Sequence, residues 1–159
     1  MHTRNLKHFG RMDHALCLGL RLGTDFAHMT MITAASYGRA IDHLLSTAGR
    51  FQRIILLSDT RSAWTGRLNQ STPFRGLPVV DAFTDDVSQI YMGMQCKALV
   101  LSESSFHLWM AYFGARPESR PHMARQKVVY FYSDDPHTTP ANESAIPSSI
   151  LPGWVGLPA

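Results

Sequence analysis

The chain has 159 residues, of which 45% are hydrophobic and 17% charged, and it carries a formal net charge of +3. That length suits a single domain with a real core, and one explanation of the low charged fraction is a surface that packs against something else. No Lys/Arg run or basic–aromatic ladder marks a nucleic-acid surface. No apolar run approaches the ~20 residues of a membrane span. The start, Met1-His2-Thr3-Arg4-Asn5, has no apolar signal region behind its charges. Neither a signal nor an anchor is expected in this chain. C-x-x-C and H-E-x-x-H spacings are missing and the eight histidines are scattered, which reads as surface histidines and no metal site. Cys17 and Cys96 are too few for a disulfide framework and lie in apolar stretches, so both are expected as buried thiols.

Residues 1–14 are polar without a steady period and read as a flexible arm; residues 15–159 read as one domain. Residues 15–21 are a short apolar run, right for a buried strand. Residues 33–48 read as a helix, with Ile41, Leu44, Leu45 and Ala48 at helical spacing and Gly49 as the stop. Residues 54–57 form a second buried strand, and 61–68 a helix. Leu77-Pro78-Val79-Val80 is a short strand near an edge because of its proline. Asp85-Asp86 can cap a helix running to about Cys96, with Val87, Ile90, Tyr91 and Met94 as its apolar face. Residues 98–101 are a third clear strand, 106–113 a helix closed by Gly114, and 128–132 a fourth strand. Trp109 and Tyr112, at i and i+3, read as core packing. Residues 133–149 read as a surface loop, and the tail carries a buried tryptophan, Trp154. Strand and helix alternate, so the fold class is α/β, Rossmann-like, with a mostly parallel sheet and helices on both faces.

Ligands of open parallel sheets bind beyond the carboxyl ends of the strands. Three such ends carry hydroxyl or charged side chains: Arg21 to Asp25, Ser58-Asp59-Thr60, and Ser102-Glu103-Ser104-Ser105. Serines at a helix N-terminus offer hydroxyls, free N–H groups and partial positive charge together, which makes either a phosphate seat or an ordinary N-cap. Arg21 can take a pyrophosphate bidentately or pair with Asp25. Asp59 can accept hydrogen bonds from a base or ribose, or cap the following helix.

In order, these segments resemble the α-1,2-fucosyltransferases, glycosyltransferase family 11. The resemblance rests first on Leu99-Val100-Leu101-Ser102-Glu103-Ser104-Ser105-Phe106-His107-Leu108-Trp109-Met110-Ala111-Tyr112, similar to the family's strand, Ser/Thr-rich turn, Phe and Trp-Ala-Ala-Tyr-like helix. Leu151-Pro152-Gly153-Trp154-Val155-Gly156-Leu157 looks like its C-terminal Leu-Pro-x-Trp-Val-Gly element, and Ser58-Asp59 with Trp64 like its Ser-Asp/Asn turn and tryptophan. Leu18 to Phe26 lines up with its His-Val-Arg-Arg-Gly-Asp-Tyr/Phe motif, but Gly19 stands at the histidine, Leu22 at the second arginine, and Thr24 as an insertion. The resemblance covers about residues 15–157.

It implies transfer of L-fucose from GDP-fucose to a β-galactoside hydroxyl, in α-1,2 linkage, with inversion and no required metal or other cofactor. It implies the carboxyl-terminal, donor-binding half of a GT-B-type enzyme, a missing amino-terminal acceptor-binding half, and a Golgi membrane location for a full-length eukaryotic relative. Carried over, the donor-binding residues are Arg21, Asp25, Ser58, Asp59, Ser102, Ser104, Ser105 and Phe106, with Asp25 also a candidate base. The alternative is an inactive GDP-sugar-binding remnant, which the changes at Gly19 and Leu22 favour. Histidine at 19 and arginine at 22 are then expected to strengthen GDP binding.

Overall fold

The computed structural model describes residues 11–20, 32–58, 74–82, 85–102, 105–115, 125–132 and 154–158. They form six strands: β1 (Ala15–Leu20), β2 (Arg53–Ser58), β3 (Val79–Asp81), β4 (Ala98–Leu101), β5 (Lys127–Tyr132) and β6 (Trp154–Pro158). Three helices are described with them: α1 (Ala34–Ala48), α2 (Asp86–Gln95) and α3 (Ser105–Gly114). The strand order is β3-β2-β1-β4-β5-β6 and every neighbouring pair is parallel. The α/β, Rossmann-like fold class read from the sequence is therefore correct, and the sheet is wholly parallel. The tail adds a strand, β6, that its Gly and Pro content hid.

Parallel strands buried on both faces need apolar side chains at every position. β1 and β4 are buried throughout, and β2 at every position but its first. Alternate residues face opposite layers. Leu16, Leu18, Leu20, Ile54, Leu56 and Val100 pack with Tyr37, Ala40, Ile41 and Leu44 of α1. Cys17, Ile55, Leu57, Leu99 and Leu101 pack on the other face with Met92 of α2 and Met110 and Ala111 of α3. The α1 crossover leads toward β3, whereas α2 and α3 lead toward β6. Opposite directions place the helices on opposite faces when all crossovers share one hand. Full burial of one such leucine or isoleucine contributes about 1.5–3 kcal/mol.

The helix ends follow the sequence closely. Thr33 caps α1, its hydroxyl accepting from the Ser36 N–H at 3.1 Å, and Gly49 ends it at φ 76°, in the left-handed region that glycine enters without penalty. Asp85 caps α2 through the Ser88 N–H at 2.9 Å. Downstream, Gln126 Nε2 donates to the carbonyls of Gly93 (2.6 Å) and Cys96 (3.0 Å), tying the end of α2 to the start of β5.

Three expectations need correction. The buried side of α2 is Ser88, Gln89, Met92 and Gly93, while Val87 and Tyr91 are 62% and 47% exposed. Gly93 decides this rotation: a Cβ there would lie 1.9 Å from Met110 Sδ, so the notch lets α3 come close. Trp109 is 53% exposed rather than in the core, stacking on Phe113 and meeting Tyr112 edge-on along the outer side of α3. The two cysteines are buried as expected but not as thiols. A disulfide joins Cys17 of β1 to Cys96 after α2, with Cα atoms 6.0 Å apart, inside the range a disulfide spans. Just before β1, Met12–His14 forms a 3-10 turn, and Met12 is buried with Met92 and Met110 of the α2–α3 layer.

The helix expected at 61–68 and the loop at 133–149 lie outside the described residues. Among the described residues no helix is long and apolar enough to cross a membrane.

Candidate functional site

The direction of the chain across the sheet reverses at β1. β2 and β3 lie on one side of it, β4 to β6 on the other. At such a switch point the loops leaving the two central strands diverge and leave a crevice. β1 pairs with β2 as far as Leu20↔Ser58, but with β4 only as far as Leu18↔Val100.

Gly19 is the first residue of β1 past the end of the β4 ladder, and both of its faces are in use. Its carbonyl accepts a hydrogen bond from the Tyr37 hydroxyl of α1 at 3.1 Å. Burial raises the Tyr37 pKa well above the ordinary tyrosine value, so the phenol stays protonated and keeps donating. On the opposite face the imidazole of His107, from α3, lies over Gly19. A Cβ at position 19 would be 2.9 Å from its Cγ, Cδ2 and Nδ1.

Ser102 Oγ, just past β4, stands 2.6 Å from His107 Nδ1 in a hydrogen bond in which either atom can donate. Phe106 meets the His107 ring edge-on, 5.6 Å between centroids. Ser102 and Phe106 are half-buried, whereas His107 is only 2% exposed. One strand away, Ser58 closes β2 fully buried, and its carbonyl accepts from Gln89 Nε2 at 2.9 Å.

Of the residues singled out in the sequence, Ser102 and Phe106 therefore gather at the β1–β4 crevice, and Ser58 ends the adjacent strand. Ser105 begins α3 at the same edge. Arg21, Asp25, Asp59 and Ser104 lie outside the described residues. His107 was missed, because it read as one more scattered surface histidine. Two signals could have found it: its place inside an apolar helix, Phe106-His107-Leu108-Trp109-Met110, and the lone glycine in the otherwise apolar strand Ala15-Leu16-Cys17-Leu18-Gly19-Leu20.

Chemically, this edge of the sheet offers a hydroxyl tied to a buried imidazole beside the start of a helix, and the hydroxyl and the helix N–H groups are donors to an oxyanion. Among the described residues, no group of three or more His, Cys, Asp and Glu side chains converges as a metal site would require. No protein-family model matches the chain, and no curated protein matches it.

Proposed function

We propose that this domain binds the diphosphate of a nucleotide sugar at the carboxyl ends of β1 and β4. The sugar donor is GDP-fucose, and the domain acts as the donor-binding half of a GT-B-type α-1,2-fucosyltransferase-like enzyme with a β-galactoside acceptor. The observation that carries this reading is that Gly19, at the histidine place of the segment resembling the arginine motif, and Ser102, which opens the Ser-rich turn, meet the same ring, that of His107. They lie on neighbouring strands at the switch point of a sheet ordered like nucleotide-binding folds. The sequence Gly19-Leu20-Arg21-Leu22-Gly23-Thr24-Asp25 lacks the G-x-G-x-x-G fingerprint of dinucleotide sites. That favours a nucleotide held by side chains over one held by a glycine loop.

The chemistry asks for stabilisation of charge growing on a leaving diphosphate, here without a metal. Arg21, the hydroxyls of Ser102, Ser104 and Ser105, and the α3 N-terminus are the groups assigned to it. Ser58, the last residue of β2, and Asp59 are assigned to the nucleoside, and Phe106 flanks the His107 ring. Asp25 is the candidate base for the acceptor hydroxyl. The buried Cys17–Cys96 disulfide supports an oxidising compartment such as the Golgi lumen. An amino-terminal half would supply the acceptor site.

A specific observation favours the second reading, a GDP-sugar-binding remnant. The place of the family's strand histidine is Gly19, and the His107 ring fills the space above it. A histidine at 19 has no room there, so Gly19→His is now expected to weaken binding, opposite to the sequence-based expectation. A transfer assay with radiolabelled GDP-fucose and lactose separates the two readings. Turnover by the chain alone supports the enzyme and removes the remnant.

A further inference from the structure

We propose that Ser102 and His107 form a phosphate-oxygen site at the strand switch point. In it Ser102 presents its hydroxyl to the ligand, His107 is the positioning residue that orients that hydroxyl, and Gly19 leaves room for the ring. The proposal refines the nucleotide reading by naming the atoms that meet the phosphate, and it rests on that reading for the identity of the larger ligand.

The arrangement is expensive for the fold. Every other residue of β1 is apolar and buried, and the strand gives up a side chain at Gly19. Glycine in a strand interior costs conformational entropy and packing. The space so released is filled with a polar ring that is itself 2% exposed, and burying a polar ring costs desolvation that an apolar side chain would not. A larger residue at 19 with a leucine at 107 would fill the same volume with oil. Local choices that oppose stability gather at functional sites, and this one lies where the β1–β4 ladder stops.

The ring also has a task that packing does not require. Its Nδ1 is 2.6 Å from Ser102 Oγ, so the pair has two proton arrangements. With the proton on Nδ1, the ring donates to Oγ and the serine proton is left to point at a ligand oxygen. With Nδ1 bare, the serine donates to the ring and presents only lone pairs outward. A phosphate oxygen selects the first arrangement, because it accepts and never donates when ionised. Ser102 is the half-buried member and thus the one that reaches ligand. The ring stays behind it, held by the edge-on contact with Phe106 and by Gly19 beneath. Neither group brings negative charge, as an anion site needs.

Inorganic pyrophosphate is the probe, titrated into the full chain by calorimetry and by nitrogen NMR of the histidine rings, with GDP in a parallel arm. Ser102→Ala is expected to weaken pyrophosphate at least tenfold in a chain that still folds, with a melting temperature lowered because the buried His107 Nδ1 loses its partner. His107→Leu should weaken pyrophosphate likewise, and His107→Asn, whose amide N–H can stand near the Nδ1 position, should recover most of the loss. Pyrophosphate should move the His107 Nδ1 resonance toward the protonated-nitrogen position, a change that a purely structural ring would not make. Equal pyrophosphate affinity for wild type and Ser102→Ala overturns the proposal, as does a wild-type chain that binds no pyrophosphate at millimolar concentration. Should His107→Leu fail to fold, Ser102→Ala and the His107 resonance still decide. Pyrophosphate binding that depends on Ser102 without any preference for GDP keeps this site and removes the nucleotide-sugar reading. GDP binding that ignores both residues does the opposite.

Discussion

Gly19 is the residue on which the site turns. Gly19→Ala puts a carbon 2.9 Å from three atoms of the His107 ring, so the ring or the strand must shift. The expected cost is about 1–3 kcal/mol, the range for overpacking a filled interior. Denaturant unfolding checks it, and the paired substitution Gly19→Ala with His107→Ala should recover part of the loss by returning the space. On the other side of the strand, Tyr37→Phe leaves the Gly19 carbonyl without the hydroxyl it accepts from, at a cost of about 1–3 kcal/mol. Tyr37 also sets an alkaline limit. Its folded pKa is raised by burial, so its contribution is whole below the unfolded value of about 10 and is lost as pH climbs above that. A stability profile of wild type against Tyr37→Phe should show the wild type losing its advantage only on that alkaline side. His107 itself was hidden in the sequence because a lone polar letter in a helix reads as an outward one. Only the neighbouring strand, with its one missing side chain, explains why it turns inward.

Among the elements, strands were easier to read than helix faces, for a physical reason. A strand buried on both sides of a parallel sheet is apolar throughout, so β1, β2, β4 and β5 stand out without any knowledge of their neighbours. The face of α2 depends on its neighbour. Val87 and Tyr91 look like the apolar stripe, but Gly93 and Met92 face α3 and the sheet, and Gln89 crosses to the Ser58 carbonyl. Gly93→Ala tests this packing directly. The added carbon falls 1.9 Å from Met110 Sδ, so the buried Met110 side chain or the two helices must shift, and a loss of about 1–3 kcal/mol is expected in denaturant unfolding. The Asp42–Arg75 pair joins α1 to the turn before β3 and acts at the opposite end of the pH scale. The hydrogen bond from Arg75 holds the Asp42 carboxyl below its ordinary value, with the charge of Arg75 adding and desolvation opposing. Its small, solvent-screened contribution is present above about pH 4 and is lost as pH falls below that. Asp42→Asn should flatten that acid-side slope while leaving stability at neutral pH nearly unchanged.

At the scale of the molecule, the Cys17–Cys96 disulfide closes a loop across a sequence separation of 79 and fastens the central strand to the end of α2. Reduction is expected to cost about 2–4 kcal/mol, the usual range for a bridge spanning a long loop. Melting the chain with and without a thiol reductant, with alkylation and mass measurement to count free sulfurs, checks it. Two alkylatable thiols before reduction would contradict the bridge. Sequence spacing could not pair the cysteines, because they lie far apart in the chain and meet only once β1 and β4 are neighbours. The strand order was hidden for the same reason. Alternation of strand and helix gives a parallel sheet, but the order that makes β1–β4 the switch point comes from crossovers whose direction no local pattern encodes.

The central claim is that a nucleotide diphosphate binds at the carboxyl ends of β1 and β4. Backbone amide NMR during a GDP titration tests it most directly, since β1, β2, β4 and β5 carry an amide reporter at each end. The account predicts that Gly19, Leu20, Ser102, Phe106 and His107 move with GDP concentration, while Ala15, Arg53, Ala98 and Lys127, at the amino ends of the same strands, stay fixed. Shifts gathered at the amino ends, or a spectrum that millimolar GDP leaves unchanged, would contradict it.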